Sequence, residues 1–367
     1  MKKKFTLLTV ILLTLGLVLA ACGSGDTKKG SDEGKSGDAD KKSDTDFKVA
    51  MVTDIGGVDD KSFNQSAWEG LQAWGDEHGG EKGENYNYAQ SNAKSDYMPN
   101  LTRLIRDDYD LIFGIGFELL EDLTKVAKQY PDNHFAIVDD VIEEPNVASI
   151  TFKEHQGSFL VGVAAAMKTK TNKVGFVGGI DSPLINKFES GFIAGVKSVN
   201  PDIDVDVQYA ESFGAADKGK VIAKDMYNKG VDIIYHAAGG TGNGVFNEAK
   251  DIKQNDPDKE IWVIGVDRDQ HDEGQIGDHN ITLTSMVKRV DVAVQDVANQ
   301  AVKGSHHGGD HLEYGLEEDA ISVATTNKEA MSQDIIDAVE DYQKKILAGE
   351  IDVPKTRDET EQFLKNL

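Results

Sequence analysis

The stretch Val52-Thr53-Asp54-Ile55-Gly56-Gly57-Val58-Asp59-Asp60-Lys61-Ser62-Phe63-Asn64-Gln65-Ser66-Ala67-Trp68-Glu69-Gly70 decides how the rest of the chain reads. An apolar run, Val49 to Val52, ends on polar residues and a Gly-Gly turn. A helical pattern starts near Ser62, with Phe63, Ala67 and Leu71 spaced for one face. Strand, loop and helix in that order put the loop at the carboxyl edge of a parallel sheet, where open α/β folds bind their ligands. Asp54, Phe63 and Asn64 bring to that edge an acceptor, an aromatic face and an amide.

Upstream of this stretch the chain is not core material. Lys2, Lys3 and Lys4 precede an apolar run from Phe5 to Ala21, broken only by Thr and Gly, and Leu19-Ala20-Ala21 stands directly before Cys22. This pattern predicts an export signal over residues 1–21. A cysteine immediately after the small residues looks like a bacterial lipobox, with cleavage before Cys22 and lipid on its thiol. The competing reading, a membrane-spanning helix, needs ~20 apolar residues and finds fewer. Cys22 is the one cysteine of the chain, so intrachain disulfides and thiolate metal clusters are excluded, and a lipid anchor is its simplest role. Gly23 to Asp46 contains Gly, Ser, Asp, Lys, Glu, Thr and one Ala, which predicts a disordered linker over 22–46. The expected location is the outer face of the cell membrane, held by lipid.

About 320 residues remain, more than one core usually serves, so two lobes are expected. The formal charge is −25, and loss of the three signal-peptide lysines takes it to −28. A surface that acidic argues against nucleic acid as a partner and is neutral towards an uncharged solute.

Downstream, short apolar runs alternate with amphipathic stretches, the signature of parallel sheets. Strands are predicted at 86–90, 110–114, 135–138 and 147–151, then at 173–177, 204–209, 231–236 and 262–266. Ile281 to Ser285 reads as a further strand, Val287 to Val302 as a helix, Ala320 to Val323 as a strand and Lys328 to Leu347 as the last helix. The expected division is an N-terminal lobe over 47–153 with a returning segment near 286–315. A C-terminal lobe over 154–285 has its own return near 316–345, and a tail of little apolar weight covers 346–367.

Loops after strands carry the candidate chemistry: Asp54 to Asn64, Gly114 to Phe117 with Gly116, Gly178 to Phe188, and Ala237 to Asn243 with Gly240. Asp267 and Lys288 add two positions. Phe63 and Phe188 read either as rings clamping a planar ligand, each worth ~1–3 kcal/mol against a nucleobase, or as core residues of their helices. Asp54 and Asp267 read either as acceptors for vicinal hydroxyls or ring N–H groups or as turn and cap carboxylates. Asp59 and Asp60, just before a helix, read as caps. Asn64 fits a base edge or a first-turn cap. Lys288 is placed at a helix start, where the helix dipole does not favour it, which hints at a ligand or carboxylate partner. Gly239-Gly240-Thr241-Gly242 lacks the Lys-Ser/Thr ending of a hydrolytic P-loop and fits close backbone approach to a neutral ligand or an ordinary turn. His306, His307 and His311 sit in a Gly-containing polar segment, read as a solvated loop in preference to a metal site. GxSxG and HExxH motifs are absent from the sequence.

Taken together, the opening motif, Gly178-Gly179-Ile180 with Phe188-Glu189-Ser190-Gly191-Phe192, His236-Ala237-Ala238-Gly239-Gly240-Thr241-Gly242 and Gly265-Val266-Asp267-Arg268-Asp269-Gln270 resemble the basic membrane protein family of bacterial lipoproteins. These are the substrate-binding proteins of nucleoside ABC importers, and the purine nucleoside receptor type is the nearest. The resemblance covers roughly Lys48 to Val323; the histidine-rich segment departs from it. It implies an α/β architecture, the type I periplasmic-binding-protein fold, with two doubly wound lobes, a three-stranded hinge and a ligand closed between them. It implies stacking by Phe63 and Phe188, ribose hydroxyls on Asp267 with Lys288 as partner, a base edge at Asp54 and Asn64, and Gly240 close to the ribose. The implied partners are a nucleoside such as guanosine, adenosine or inosine and the permease and ATPase subunits of an importer, with the receptor itself a monomer. No cofactor, metal or catalysis is implied. A signalling or adhesion lipoprotein of the same fold with another ligand, and a nucleoside-processing enzyme, stand as alternatives.

Overall fold

Strand and helix alternate from Val49 onwards. A computed structural model describes residues 46–367. The expected export signal, Cys22 and the linker up to residue 45 lie outside the described residues. The first run comprises β1 (Val49–Val52), α1 (Phe63–Glu77), β2 (Tyr86–Ala89), α2 (Tyr97–Arg106), β3 (Leu111–Ile115), α3 (Leu120–Gln129), β4 (His134–Val138) and β5 (Val147–Phe152). The second comprises α4 (Glu154–Lys168), β6 (Lys173–Gly178), α5 (Pro183–Val199), β7 (Asp204–Tyr209), α6 (Ala216–Asn228), β8 (Ile233–Ala237), α7 (Gly242–Asn255) and β9 (Trp262–Asp267). A small antiparallel pair follows, β10 (Gln275–Ile276) with β11 (His279–Asn280). The remaining elements are β12 (Thr282–Lys288), α8 (Val290–Val302), β13 (His311–Tyr314), β14 (Ile321–Val323), α9 (Gln333–Leu347) and α10 (Arg357–Leu364).

Two six-stranded sheets result, in the orders β13-β5-β4-β3-β1-β2 and β14-β12-β9-β8-β6-β7. The first is parallel throughout; in the second, β14 alone runs antiparallel, against β12. Strands such as Leu111–Ile115 and Val147–Phe152 are buried along their whole length because helices cover both faces, so they read as continuous apolar runs. The reversal of strand order in each sheet makes each lobe doubly wound, and it opens a crevice at the carboxyl ends of the strands. The chain passes between the sheets three times: at Lys153 from β5 to α4, at Arg289 from β12 to α8, and over 315–320 from β13 to β14. These three connections form the hinge of a type I periplasmic-binding-protein fold.

Three local readings are corrected. Lys288 is the last residue of β12 and not part of a helix start, because β12 pairs with β9 on one side and with Ile321–Val323 on the other, and ladder bonds hold it extended to its end. Helix α8 accordingly begins at Val290. His311 is not in a solvated loop: it opens β13, which pairs with Ser149–Phe152. The C-terminal stretch is no featureless tail. Thr356 and Glu359 form a capping box that starts α10, Val353 is buried, and Phe363 meets Phe159 edge-on, with centroids 6.4 Å apart. Ile346 and Val353 are buried there, which a mean over the segment conceals.

Candidate functional site

The loop between β1 and α1 is organised by its carboxylates. Asp60 accepts from the backbone N–H groups of Ser62 (2.9 Å), Asn64 (2.8 Å) and Gln65 (3.1 Å), and so caps α1. Asn64 donates through Nδ2 to Asp60 Oδ2 (2.9 Å) and Asp54 Oδ1 (2.7 Å), while its Oδ1 accepts from the Asp54 N–H (3.2 Å). Both amide protons of Asn64 are therefore committed, and its work in this structure is to hold Asp54. Asp54 Oδ1 also accepts from Gly56 N–H (2.7 Å), whereas Oδ2 lies on the cleft wall beside Gly116. Burial, with the Asp60 charge adding to it, pushes the Asp54 carboxyl up to about 7. Burial also raises Asp60.

From the second lobe, Asp267 ends β9 in a left-handed conformation, φ 65°, with Arg268 N–H donating to the Val266 carbonyl at 2.8 Å. Ser62 Oγ donates to Asp267 Oδ2 at 2.5 Å across the cleft. Burial pushes the Asp267 carboxyl up to about 6 against the opposing pull of Lys288 and Ser62. Lys288 is 1% exposed, and its Nζ lies 2.7 Å from Asp139 Oδ2, 3.7 Å from Asp267 Oδ1 and 3.9 Å from Glu154 Oε1. Burial disfavours the ammonium, but the three carboxylates outweigh it and raise the Lys288 pKa. The same Nζ stands 4.8 Å from the Phe63 ring centre, 5.2 Å from Phe152 and 5.6 Å from Phe188, within cation–π range of all three.

The resulting cleft holds about 480 Å³ of space between its walls, part of it open to solvent. Asp54, Phe63, Asn64, Gly116, Phe188, Asp267 and Lys288 all line it. Gly240 does not: its neighbour Gly239, φ 51°, is the lining glycine, and Gly240 is turned towards the Phe213 carbonyl. Sequence reasoning missed Asp139, Phe117 and Phe213, which also line the cleft. Asp139 stands at the carboxyl end of β4 as Asp54 and Asp267 stand after β1 and on β9, so the strand-end rule applied there would have found it. Phe117 and Phe213 meet edge-on across the lobes, centroids 6.0 Å apart, a contact that no local pattern announces.

The histidine segment lies elsewhere. His306 bonds the Phe135 carbonyl (3.2 Å) and stacks on His134, centroids 4.2 Å apart, at the amino end of β4. Among the described residues no group of three or more His, Cys, Asp or Glu side chains is arranged to hold a metal ion.

Chemically, four carboxylates (Asp54, Asp60, Asp139 and Asp267), one already neutralised ammonium and four phenyl rings suit an uncharged molecule with a flat face and several O–H or N–H donors. Residues 47–357 match the family described as ABC transporter substrate-binding protein PnrA-like. Among curated relatives, the "CD4+ T-cell-stimulating antigen" of Listeria innocua is 54% identical over 96% of this chain and 99% of its own length. The "ABC transporter nucleoside-binding protein BmpA" of Lactococcus lactis is 45% identical over 96% of this chain and 99% of its own. Among solved structures, the solute-binding protein of an ABC transporter system from Aeropyrum pernix superposes with a TM-score of 0.76 at 27% identity, over 87% of this chain and 98% of that one.

Proposed function

The chain belongs to the PnrA-like family of ABC transporter substrate-binding proteins, and from that premise we propose that its cleft captures a purine nucleoside at the outer face of the cell membrane for delivery to an import permease. The family binds and hands over; it does not turn its ligand over. One observation carries the nucleoside reading: two phenylalanines and two acceptor carboxylates, Asp54 and Asp267, line a single cleft. A nucleobase is flat and bears N–H donors, and ribose bears vicinal hydroxyls, so one molecule answers both sets of groups. Phe63 and Phe188 stack the base, Asp54 meets its edge, and Asp267, steadied by Lys288, takes the ribose hydroxyls. Lys288 is already shared among three carboxylates, which leaves a 5′-phosphate facing Asp54, Asp60, Asp139 and Asp267 without a free cation. A lipid anchor on Cys22 belongs to the same reading.

Calorimetric titration with guanosine, adenosine, inosine, uridine, free bases, ribose and guanosine 5′-monophosphate tests it. At least one purine nucleoside is expected to bind at low-micromolar affinity or better, with the free base and the monophosphate weaker. Phe63→Ala is expected to lose ~1–3 kcal/mol of that binding. No heat with any nucleoside overturns the reading.

A further inference from the structure

Glu69 and Arg268 take no part in lining the cleft, yet they join its two walls. Glu69 lies on α1 of the first lobe; Arg268 follows Asp267 at the end of β9 in the second. Arg268 Nε donates to Glu69 Oε2 at 2.9 Å and Nη2 donates to Glu69 Oε1 at 2.8 Å. This two-bond fork sets orientation as well as distance. Glu69 is held in turn by Gln65 Nε2 at 3.1 Å, one turn back on the same helix.

The backbone between the two lobes' contacts is costly. Asp267 has φ 65°, and the Arg268 N–H closes a three-residue turn onto Val266. A non-glycine residue holds such a turn only when its surroundings over-determine it. Here the surroundings combine the second lobe's own Lys288 and Gln270 with groups of the first lobe. Ser62 binds the Asp267 side chain, Glu69 binds the Arg268 side chain, and Gln270 donates to the Lys61 carbonyl at 2.9 Å while its Oε1 accepts the Val266 N–H at 2.9 Å. Lobe closure and the aim of Asp267 thus depend on the same contacts.

We propose that Arg268 and Glu69 are positioning residues whose ion pair latches the lobes together, holds the Asp267 turn in its ligand-facing geometry, and sets how long a captured ligand stays. The choice of ligand for the test rests on the nucleoside reading; the latch itself does not. Arg268 and Glu69 side chains are 27% and 40% exposed, so salt screens the pair in part, and this supplies a signature. Losing a pair that merely stabilised the fold would lower the melting temperature without altering the salt dependence of ligand release.

The test uses the full chain, its Arg268→Gln and Glu69→Gln variants, and the charge-swapped double variant Arg268→Glu/Glu69→Arg. Stopped-flow measurement of guanosine release is expected to show dissociation about three- to tenfold faster in each single variant, with association nearly unchanged. Release from the native chain is expected to quicken as salt rises, and release from the single variants to lose most of that dependence. The double variant is expected to recover slow release. Small-angle X-ray scattering without ligand is expected to give a larger radius of gyration for each single variant. Release rates and radii equal to those of the native chain overturn the latch. A native chain that binds no guanosine is tested with adenosine and inosine instead; binding of no nucleoside at all sinks the nucleoside reading alone, and the radii then decide the latch.

Discussion

Asp54 has one oxygen tied to Gly56 and Asn64 and the other on the cleft wall, in a setting that resists its charge. The folded protein holds the Asp54 proton more tightly than the unfolded chain does. Between the ordinary value of 3.8 and about 7, each rise in pH therefore costs stability, and above about 7 the cost is complete. Asp54→Asn keeps an acceptor for Gly56 and removes that cost. The variant is expected to melt above the native protein at pH 8, with the difference shrinking towards zero at pH 4, as followed by thermal unfolding at the two pH values. The same change withdraws the anionic acceptor proposed for the base edge, so nucleoside affinity is expected to fall at pH 8 while stability rises, the usual opposition between a binding site and its fold. The role of Asp54 as a strand-end acceptor was legible from its place after Val52. Its raised pKa was not, because that depends on Asp60 and on burial by the whole loop.

At the scale of elements, the alternation of strand and helix was readable because each element's apolar period is a local property. The end of β12 was not. Met286, Val287 and Lys288 become strand only because Ile321–Val323 returns from far along the chain to pair with them. The contact between α4 and α5 rests on small residues that let the two backbones approach closely. A Cβ on Gly195 would stand 2.0 Å from the Phe159 carbonyl oxygen, and one on Gly191 2.2 Å from that of His155. Neither helix can yield, since backbone lies on both sides. Gly195→Ala is expected to cost ~1–3 kcal/mol, read as a lower urea midpoint at unchanged slope. Because α5 also presents Phe188 to the cleft, this variant is expected to weaken nucleoside binding without touching the ligand.

For the whole molecule, the strongest expectation concerns what holds it at the cell surface. Given the anchor proposed at Cys22, a Cys22→Ser chain is expected to leave the membrane fraction and appear in the medium or a soluble extract, while its purified form still binds nucleoside. Fractionation followed by immunoblotting reads this directly. By itself, the sequence determined two α/β lobes, the strand-end loops that face each other, and the family to which their motifs point, because all of these are written in short-range patterns of apolar and turn residues. The tertiary structure alone decided which groups meet. Lys288 bonds Asp139, 149 positions away, Ser62 bonds Asp267, 205 positions away, and Arg268 grips Glu69, 199 positions away. Gly239 replaced Gly240 on the wall for the same reason. Such meetings are set by how two sheets lie across a hinge. No periodicity along the chain records that geometry.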